Sequence, residues 1–283
     1  MIISGTERHS FVCADPCLNK LIQFDEAGET VRTVNEANAT FDVWSLPDGS
    51  LLYARFGGKD GDGVTMVDKH GNVIFSHQSE GEVFGCQPLE NGNILIGEVR
   101  SKRMIEVNRK DEIVVTIPVD YDGQKPHECM RMPRKTKDCY LLVQPGLNKI
   151  SKYDLDGKLT MQYDIRHDAF GVIQLDNGNI LYSCMEGVFE IDDNSAEVWG
   201  LTSEDIPEMN MFWALGIQLL SNGNIVISNW LGHGHHGQGI PFFEVNRDKQ
   251  VVWSCDCRDM SGEPASLQIL DENPEIVCYK PTK

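Results

Sequence analysis

The sequence predicts an all-β chain folded as a closed ring of four-stranded sheets, on three observations. The phrase Leu89-Glu90-Asn91-Gly92-Asn93-Ile94-Leu95 recurs as Leu46 to Leu52, Leu175 to Leu181 and Leu220 to Val226, with a worn copy at Leu270-Asp271-Glu272-Asn273. Its glycines, Gly49, Gly92, Gly178 and Gly223, stand 43, 86 and 45 residues apart, and Met132 to Leu142 supplies the copy missing from the double interval, with a charged turn. Between the copies falls a second element: an apolar strand ending in Asp or Asn, a polar turn, and another apolar strand. Asn-Gly or Asp-Gly between apolar runs signals a tight hairpin, expected here as the turn whose two central residues both take positive φ. Two hairpins per repeat make four strands, and six copies of each make a six-bladed β-propeller.

Taken in order, the second hairpins run over Leu21 to Val31, Val64 to Ile74, Met104 to Val114, Ile150 to Leu159, Val188 to Trp199 and Phe242 to Trp253. The chain opens in mid-repeat at Ser10 to Ala14 and ends with an inner hairpin over Ser266 to Tyr279. The two ends therefore share one blade, which closes the ring by pairing of N- and C-terminal strands and removes open sheet edges. Phe11 to Cys13 and Ile276 to Cys278 both qualify as that blade's second strand. A repeat running from end to end makes residues 1–283 a single domain. No helix is expected beyond a turn near Ser203 to Met209.

With 25 basic against 43 acidic residues, the net charge of −18 repels phosphate backbones and anionic lipid surfaces. Nucleic-acid and membrane partners are not expected. The nine cysteines include no Cys-x-x-Cys pair and mostly sit in apolar strand patterns, as small core residues do. The opening residues do not form a signal peptide and no apolar stretch approaches membrane-spanning length, so the expected location is cytoplasmic.

Turns between first and second strands are short and uniform, so they mark a structural face. The opposite face receives the entries to the inner strands and the long loops after the second strands, where sites are built. The entries bring Asp42, Trp44, Phe84, His127, Glu128, His167, Asp168, Phe212 and Trp213, and the second-strand exits bring Arg55, Glu98, Arg100, Gln144, Glu186 and Asn229. Together they describe a polar, aromatic-rimmed funnel. The longest loops, Phe56 to Gly63 and Trp230 to Gly239, are glycine-rich and are expected to act as lids, that after Trp230 closing over bound ligand.

The Asn-Gly-Asn-Ile-Leu phrase, the stretch Phe242 to Trp253 and the His167-Asp168 entry resemble propeller repeats of the PQQ-like and arylsulfotransferase type. Asn229-Trp230-x-Gly232-His233 and Pro126-His127 are similar to segments of small stand-alone six-bladed propellers of gut bacteria. The resemblance implies the fold, and its arylsulfotransferase branch implies a funnel histidine as a transient sulfate carrier. No counterpart of the large extra N-terminal domain of those enzymes is expected here.

Three histidines from separate blades, His127, His167 and His233, are the candidate catalytic groups. They are also the candidate ligands of a divalent metal, with Glu128 or Gln144 as an oxygen donor. Without metal, His127 or His167 serves as general acid or base. Neighbouring strand residues point to opposite faces, so Glu128 and Asp168 are poor partners for their own histidines. Arg55 and Arg100 end adjacent strands and suit a carboxylate or sulfate, or an ion pair with Glu98, Asp42 or the Asp60 and Asp62 loop. Trp230, with Trp44 and Trp213, suits a sugar face, whereas Trp199 and Trp253 fill space between blades. The expected function is a propeller that binds a polar, carbohydrate-derived small molecule and acts on it by lyase or hydrolase chemistry. The alternative is a non-catalytic propeller binding a ligand or protein at the same face.

Overall fold

The computed structural model describes residues 1–35, 37, 41–57, 60–121, 123, 125, 128–257 and 263–271. It is a ring of six blades. From the axis outward, the first blade is β25 (Ser266–Ile269), β2 (Phe11–Asp15), β3 (Lys20–Phe24) and β4 (Thr30–Asn35). The second is β5 (Val43–Ser45), β6 (Leu51–Arg55), β7 (Gly63–Val67) and β8 (Val73–Gln78). The third is β9 (Cys86–Pro88), β10 (Ile94–Glu98), β11 (Arg103–Val107) and β12 (Ile113–Pro118), and the fourth β13 (Pro133–Lys135), β14 (Tyr140–Gln144), β15 (Lys149–Tyr153) and β16 (Leu159–Asp164). The fifth is β17 (Val172–Gln174), β18 (Ile180–Cys184), β19 (Gly187–Ile191) and β20 (Glu197–Thr202). The sixth, β21 (Ala214–Leu219), β22 (Ile225–Asn229), β23 (Phe242–Val245) and β24 (Val251–Asp256), carries β1 (Ile2–Gly5) on its outer edge as a fifth strand.

The ring closes twice. β25 pairs with β2, Phe11 opposite Ile269 and Ala14 opposite Ser266, so Phe11 to Cys13 supplies the second strand of the shared blade. Ile276 to Cys278 lies outside the described residues. The strand the sequence did not announce is β1, whose pairing from Ile2–Asp256 to Gly5–Trp253 covers the exposed edge of β24. Among the described residues 3-10 turns stand at Pro145–Leu147 and Pro207–Met209, and none is assigned to an α-helix. No helix among them is long and apolar enough to cross a membrane.

The repeated hairpin differs from the expected turn. Only the glycine takes positive φ, +83° at Gly92 and +92° at Gly178, while Gly92 N–H donates to Leu89 C=O at 2.9 Å. This is a type I turn followed by a glycine bulge. The Asn is required for its side chain: Asn91 Oδ1 accepts the Asn93 N–H at 3.0 Å, and Asp48, Asn177 and Asn222 repeat the bond. The third-to-fourth-strand turns use the same device, with Asp25, Asp68, Asn108, Asp154, Asp192 and Asn246 each accepting two backbone N–H groups.

Each inner second strand is buried along its whole length because both faces meet a neighbouring blade. Large core clusters accordingly combine residues of two adjacent blades, as Leu52 and Met66 do with Ile96 and Ile105. The second Asn of the repeated phrase adds a polar lock to this packing. Asn93, Asn179 and Asn224 donate to Glu106, Glu190 and Glu244 on the third strands at 3.2, 2.6 and 2.6 Å. The other oxygen of Glu190 takes Arg247 and that of Glu244 takes His9, both from the next blade. Where the second blade has Ser50 in place of the Asn, the facing residue is Met66 instead of Glu, so the two sides of the lock are lost together.

Candidate functional site

Two compartments lie on the axis, separated by an apolar layer. Met132, Phe170, Leu215 and Ala265, from four different blades, meet across the axis with Phe41, Trp213 and Trp230 packed on them. Below this layer the inner strands enclose a cavity lined by Asp42, Trp44, Arg134 and others. Above it lies the mouth of the ring.

The mouth is floored by aromatic rings: Phe41 stands 5.3 Å from Phe84 and 6.3 Å from Phe170, and Phe56 stacks on Phe84 at 5.8 Å. Arg131 lies between two of them, its guanidinium carbon 4.3 Å from the Phe84 ring and 5.7 Å from the Phe170 ring. Among the described residues its buried Nη1 has no hydrogen-bond partner, nor do the indole nitrogens of Trp213 and Trp230 or Glu82 Oε2. Burial pushes Arg131 down to about 10, against the pull of Glu82, Asp168 and Glu128. Sequence reading missed Arg131, although a signal was present. It fills the position occupied by Phe41, Phe84, Phe170, Leu215 and Ala265 in the other repeats, so it is the one charge in an apolar column.

His167 stands beside this mouth, three residues before Phe170. Its Nδ1 meets Asp168 Oδ2 at 2.9 Å and its Nε2 lies 3.4 Å from Glu186 Oε1. The expectation that Asp168 points away from its own histidine is corrected, because residues 165–169 form a bend and not a strand. Asp168 takes φ +54°, which turns its carboxylate back. Arg166 bonds both Glu186 and Glu197, and these bonds hold its guanidinium well above the usual arginine range. The His167 side chain is 57% exposed, so the group is open to a ligand.

His127 lies outside the described residues. His233 is exposed at φ +55°, its ring edge-on to Trp230 at 4.8 Å. Among the described residues no group of three His, Cys, Asp or Glu side chains converges to hold a metal ion. Glu128 pairs with Lys125 at 2.7 Å, and Arg100 donates to the Glu80 carbonyl at 3.5 Å.

Glu186 joins the His167 group, whereas four other second-strand exits, Arg55, Glu98, Gln144 and Asn229, are engaged by neighbouring protein groups, since a side chain at a strand end can face either the axis or its own outer strands. Arg55 is buried, donating to the carbonyls of Gly61 and His77 at 3.0 Å and also to Asp60 and Ser76. Glu98 is paired with Arg103 and His77, and Gln144 donates to Asp120 C=O at 3.1 Å and accepts from Ser151. Asn229 accepts the Phe212 N–H at 2.9 Å and donates to the carbonyls of Asn210 and Ile240. Asp42 and Trp44 line the lower cavity. Asp42 is held by Arg134 at 3.0 Å, and the Trp44 indole donates to Cys86 C=O at 2.6 Å with its face covered by Arg134. Burial pushes Asp42 up, only partly offset by Arg134.

The expected lids are also pinned. Asn210 donates to Gln238 C=O, Ile240 N–H to Met209 C=O, His235 stacks on Phe212 at 4.0 Å, and Gly232 lies so close to the Trp230 ring that a Cβ would sit 2.1 Å from it. Asp62 accepts the Gly57 N–H at 2.7 Å across the other loop.

No protein-family model matches the sequence, and no curated protein matches it. Among solved structures it is similar to a Bacteroides caccae protein of unknown function, 20% identical, with a TM-score of 0.83 over 94% of this chain and 100% of that one. It is also similar to a streptogramin B lyase, 13% identical, with a TM-score of 0.63 over 89% of this chain and 81% of that one. A catalytically inactive virginiamycin B lyase from Staphylococcus aureus with quinupristin gives 12% identity and a TM-score of 0.63 over 94% and 92%. At these identities the likeness shows a shared fold alone.

Proposed function

We propose that the protein binds a polar, carbohydrate-derived small molecule at its upper mouth and acts on it by acid–base lyase or hydrolase chemistry, with His167 transferring the proton. The observation that carries this reading is the exposed His167 with Asp168 on its Nδ1. With Asp168 accepting the Nδ1–H, Nε2 is the nitrogen left to exchange a proton, with Glu186 Oε1 3.4 Å away. Beside it, Phe41, Phe84 and Phe170 pack with Arg131, and among the described residues Arg131 Nη1 and the Trp213 and Trp230 indoles are donors without acceptors. Charge that develops on a carbonyl oxygen during proton removal from the adjacent carbon is the kind such a guanidinium stabilises. The lyase activity named for two similar folds accords with elimination on a propeller scaffold.

The test is turnover of a panel of neutral and uronate-containing oligosaccharides, following new unsaturated products and new reducing ends. Wild type turns over a member of the panel, and His167→Ala lowers kcat by about 10²- to 10⁴-fold, the range for losing a general acid or base. The metal-assisted form of the reading takes His127, His167 and His233 as ligands. Metal analysis of tag-free protein decides it: stoichiometric metal that is lost from His167→Ala supports it, and metal-free active protein removes it. The second reading, a non-catalytic binding propeller, is favoured by the unpartnered donors of the mouth. Equal ligand affinity in wild type and His167→Ala with no turnover in either selects it.

A further inference from the structure

The lower cavity has a volume of about 70 Å³ and lies on the axis beneath the Phe170 layer. That is room for a few water-sized species. Gln218, Gln268 and Ser266 line it. The Gln218 amide oxygen accepts the Ile269 N–H at 2.7 Å, and the Gln268 amide oxygen accepts the Ser45 N–H. Both N–H groups belong to innermost strands, which have no further strand on the axial side, so each needs its side-chain acceptor. That requirement fixes the amide orientation: the oxygen faces the next blade, and the NH2 is left for the cavity. Among the described residues the buried Ser266 hydroxyl has no hydrogen-bond partner. The carboxylate of the wall, Asp42, is already engaged by Arg134 at 3.0 and 3.3 Å and by the Cys86 N–H at 3.1 Å. The wall therefore presents oriented donors that its carboxylate is not free to meet.

We propose that this cavity binds a small monovalent anion of the chloride or nitrate class, held by Gln218 Nε2, Gln268 Nε2 and Ser266 Oγ beside the Arg134 guanidinium. The site joins the sixth blade, through Gln218, to the first, through Ser266 and Gln268, and Gln268 is bonded onward to Ser45 of the second. It thus sits at the seam where the two chain ends close the ring, and an anion there stabilises closure by binding the folded state alone.

The experiment is thermal unfolding in chloride, bromide or nitrate against gluconate at equal ionic strength, with diffraction from bromide-soaked crystals. The small anions give a saturable upward shift in melting temperature that gluconate does not, and bromide gives an anomalous peak on the axis within hydrogen-bond reach of Gln218 and Gln268. Gln268→Glu keeps an acceptor for the Ser45 N–H but replaces the donor with oxygen, so both the shift and the peak are lost. Ser266→Ala weakens both, and serves in its place if the glutamate variant does not fold. Equal melting in all salts, an axis without bromide, or an undiminished anion response in the variants overturns the proposal.

Discussion

His9, His77 and His167 each stand between two carboxylates, and burial gives them different work. His9 meets Glu244 at 2.8 Å and Asp271 at 3.1 Å, and His77 meets Asp111 at 2.6 Å and Glu98 at 3.6 Å, with side chains only 7% and 8% exposed. Burial alone would lower both histidines, but the carboxylate hydrogen bonds and charges outweigh it and raise them above 6.5. Burial would likewise raise Glu244 and Glu98, and their bonds from His9, His77 and Arg103 hold them below 4.5 instead. The histidine contributions are complete below about pH 6.5 and are lost as pH rises through the raised values. The glutamate contributions are complete above about pH 4.5 and are lost as pH falls through the lowered ones. The melting temperature should therefore be highest between about pH 4.5 and 6.5 and decline towards alkaline pH. His9→Gln should flatten that decline and cost about 2 kcal/mol, as it leaves buried Glu244 short of a partner; an unchanged slope in scanning calorimetry would contradict the assignment.

At the scale of the strand pair, the lock between the Asn-Gly-Asn turn and the third strand explains why the phrase recurs with its second Asn. The fifth blade joins Asn179, Glu190 and Arg247, whereas the second uses Ser50 and Met66, with Arg109 Nη1 2.8 Å from the Met66 sulfur. Asn179→Ser alone should cost about 1 kcal/mol, since it deprives a buried carboxylate oxygen of its donor. Combined with Glu190→Met it should cost less than the two single changes summed, by about 0.5 to 2 kcal/mol, because the second change removes the oxygen left unpaired by the first. Strict additivity in urea unfolding would mean that the lock carries no coupling. The strands themselves were legible because their apolar runs and Asx turns repeat on a fixed period. β1 was not, since Ile2 to Gly5 belongs to no repeat and only the three-dimensional edge of β24 gives it a place.

For the whole molecule, ring closure makes the ends of the chain mutually dependent. A chain ending at Glu263 loses β25, exposing the edge of β2 and opening the first blade to solvent. It should lose cooperative unfolding and aggregate, while retention of the full-length melting temperature would refute the closure. Which way the side chains of the expected site face turn was not legible in the sequence. Arg55, Glu98, Gln144 and Asn229 look functional by position and are fasteners by contact, whereas Arg131 looks like a strand residue and, among the described residues, keeps its buried Nη1 without a hydrogen-bond partner. The central claim is that the groups that hold the fold and those that act on a ligand are separate. It is tested most directly by measuring turnover and melting together in His167→Ala and Arg55→Met. The account predicts that His167→Ala keeps the wild-type melting temperature and loses turnover, and that Arg55→Met loses about 3 kcal/mol of stability. A His167→Ala protein that melts early, or one that turns over substrate like wild type, would contradict it.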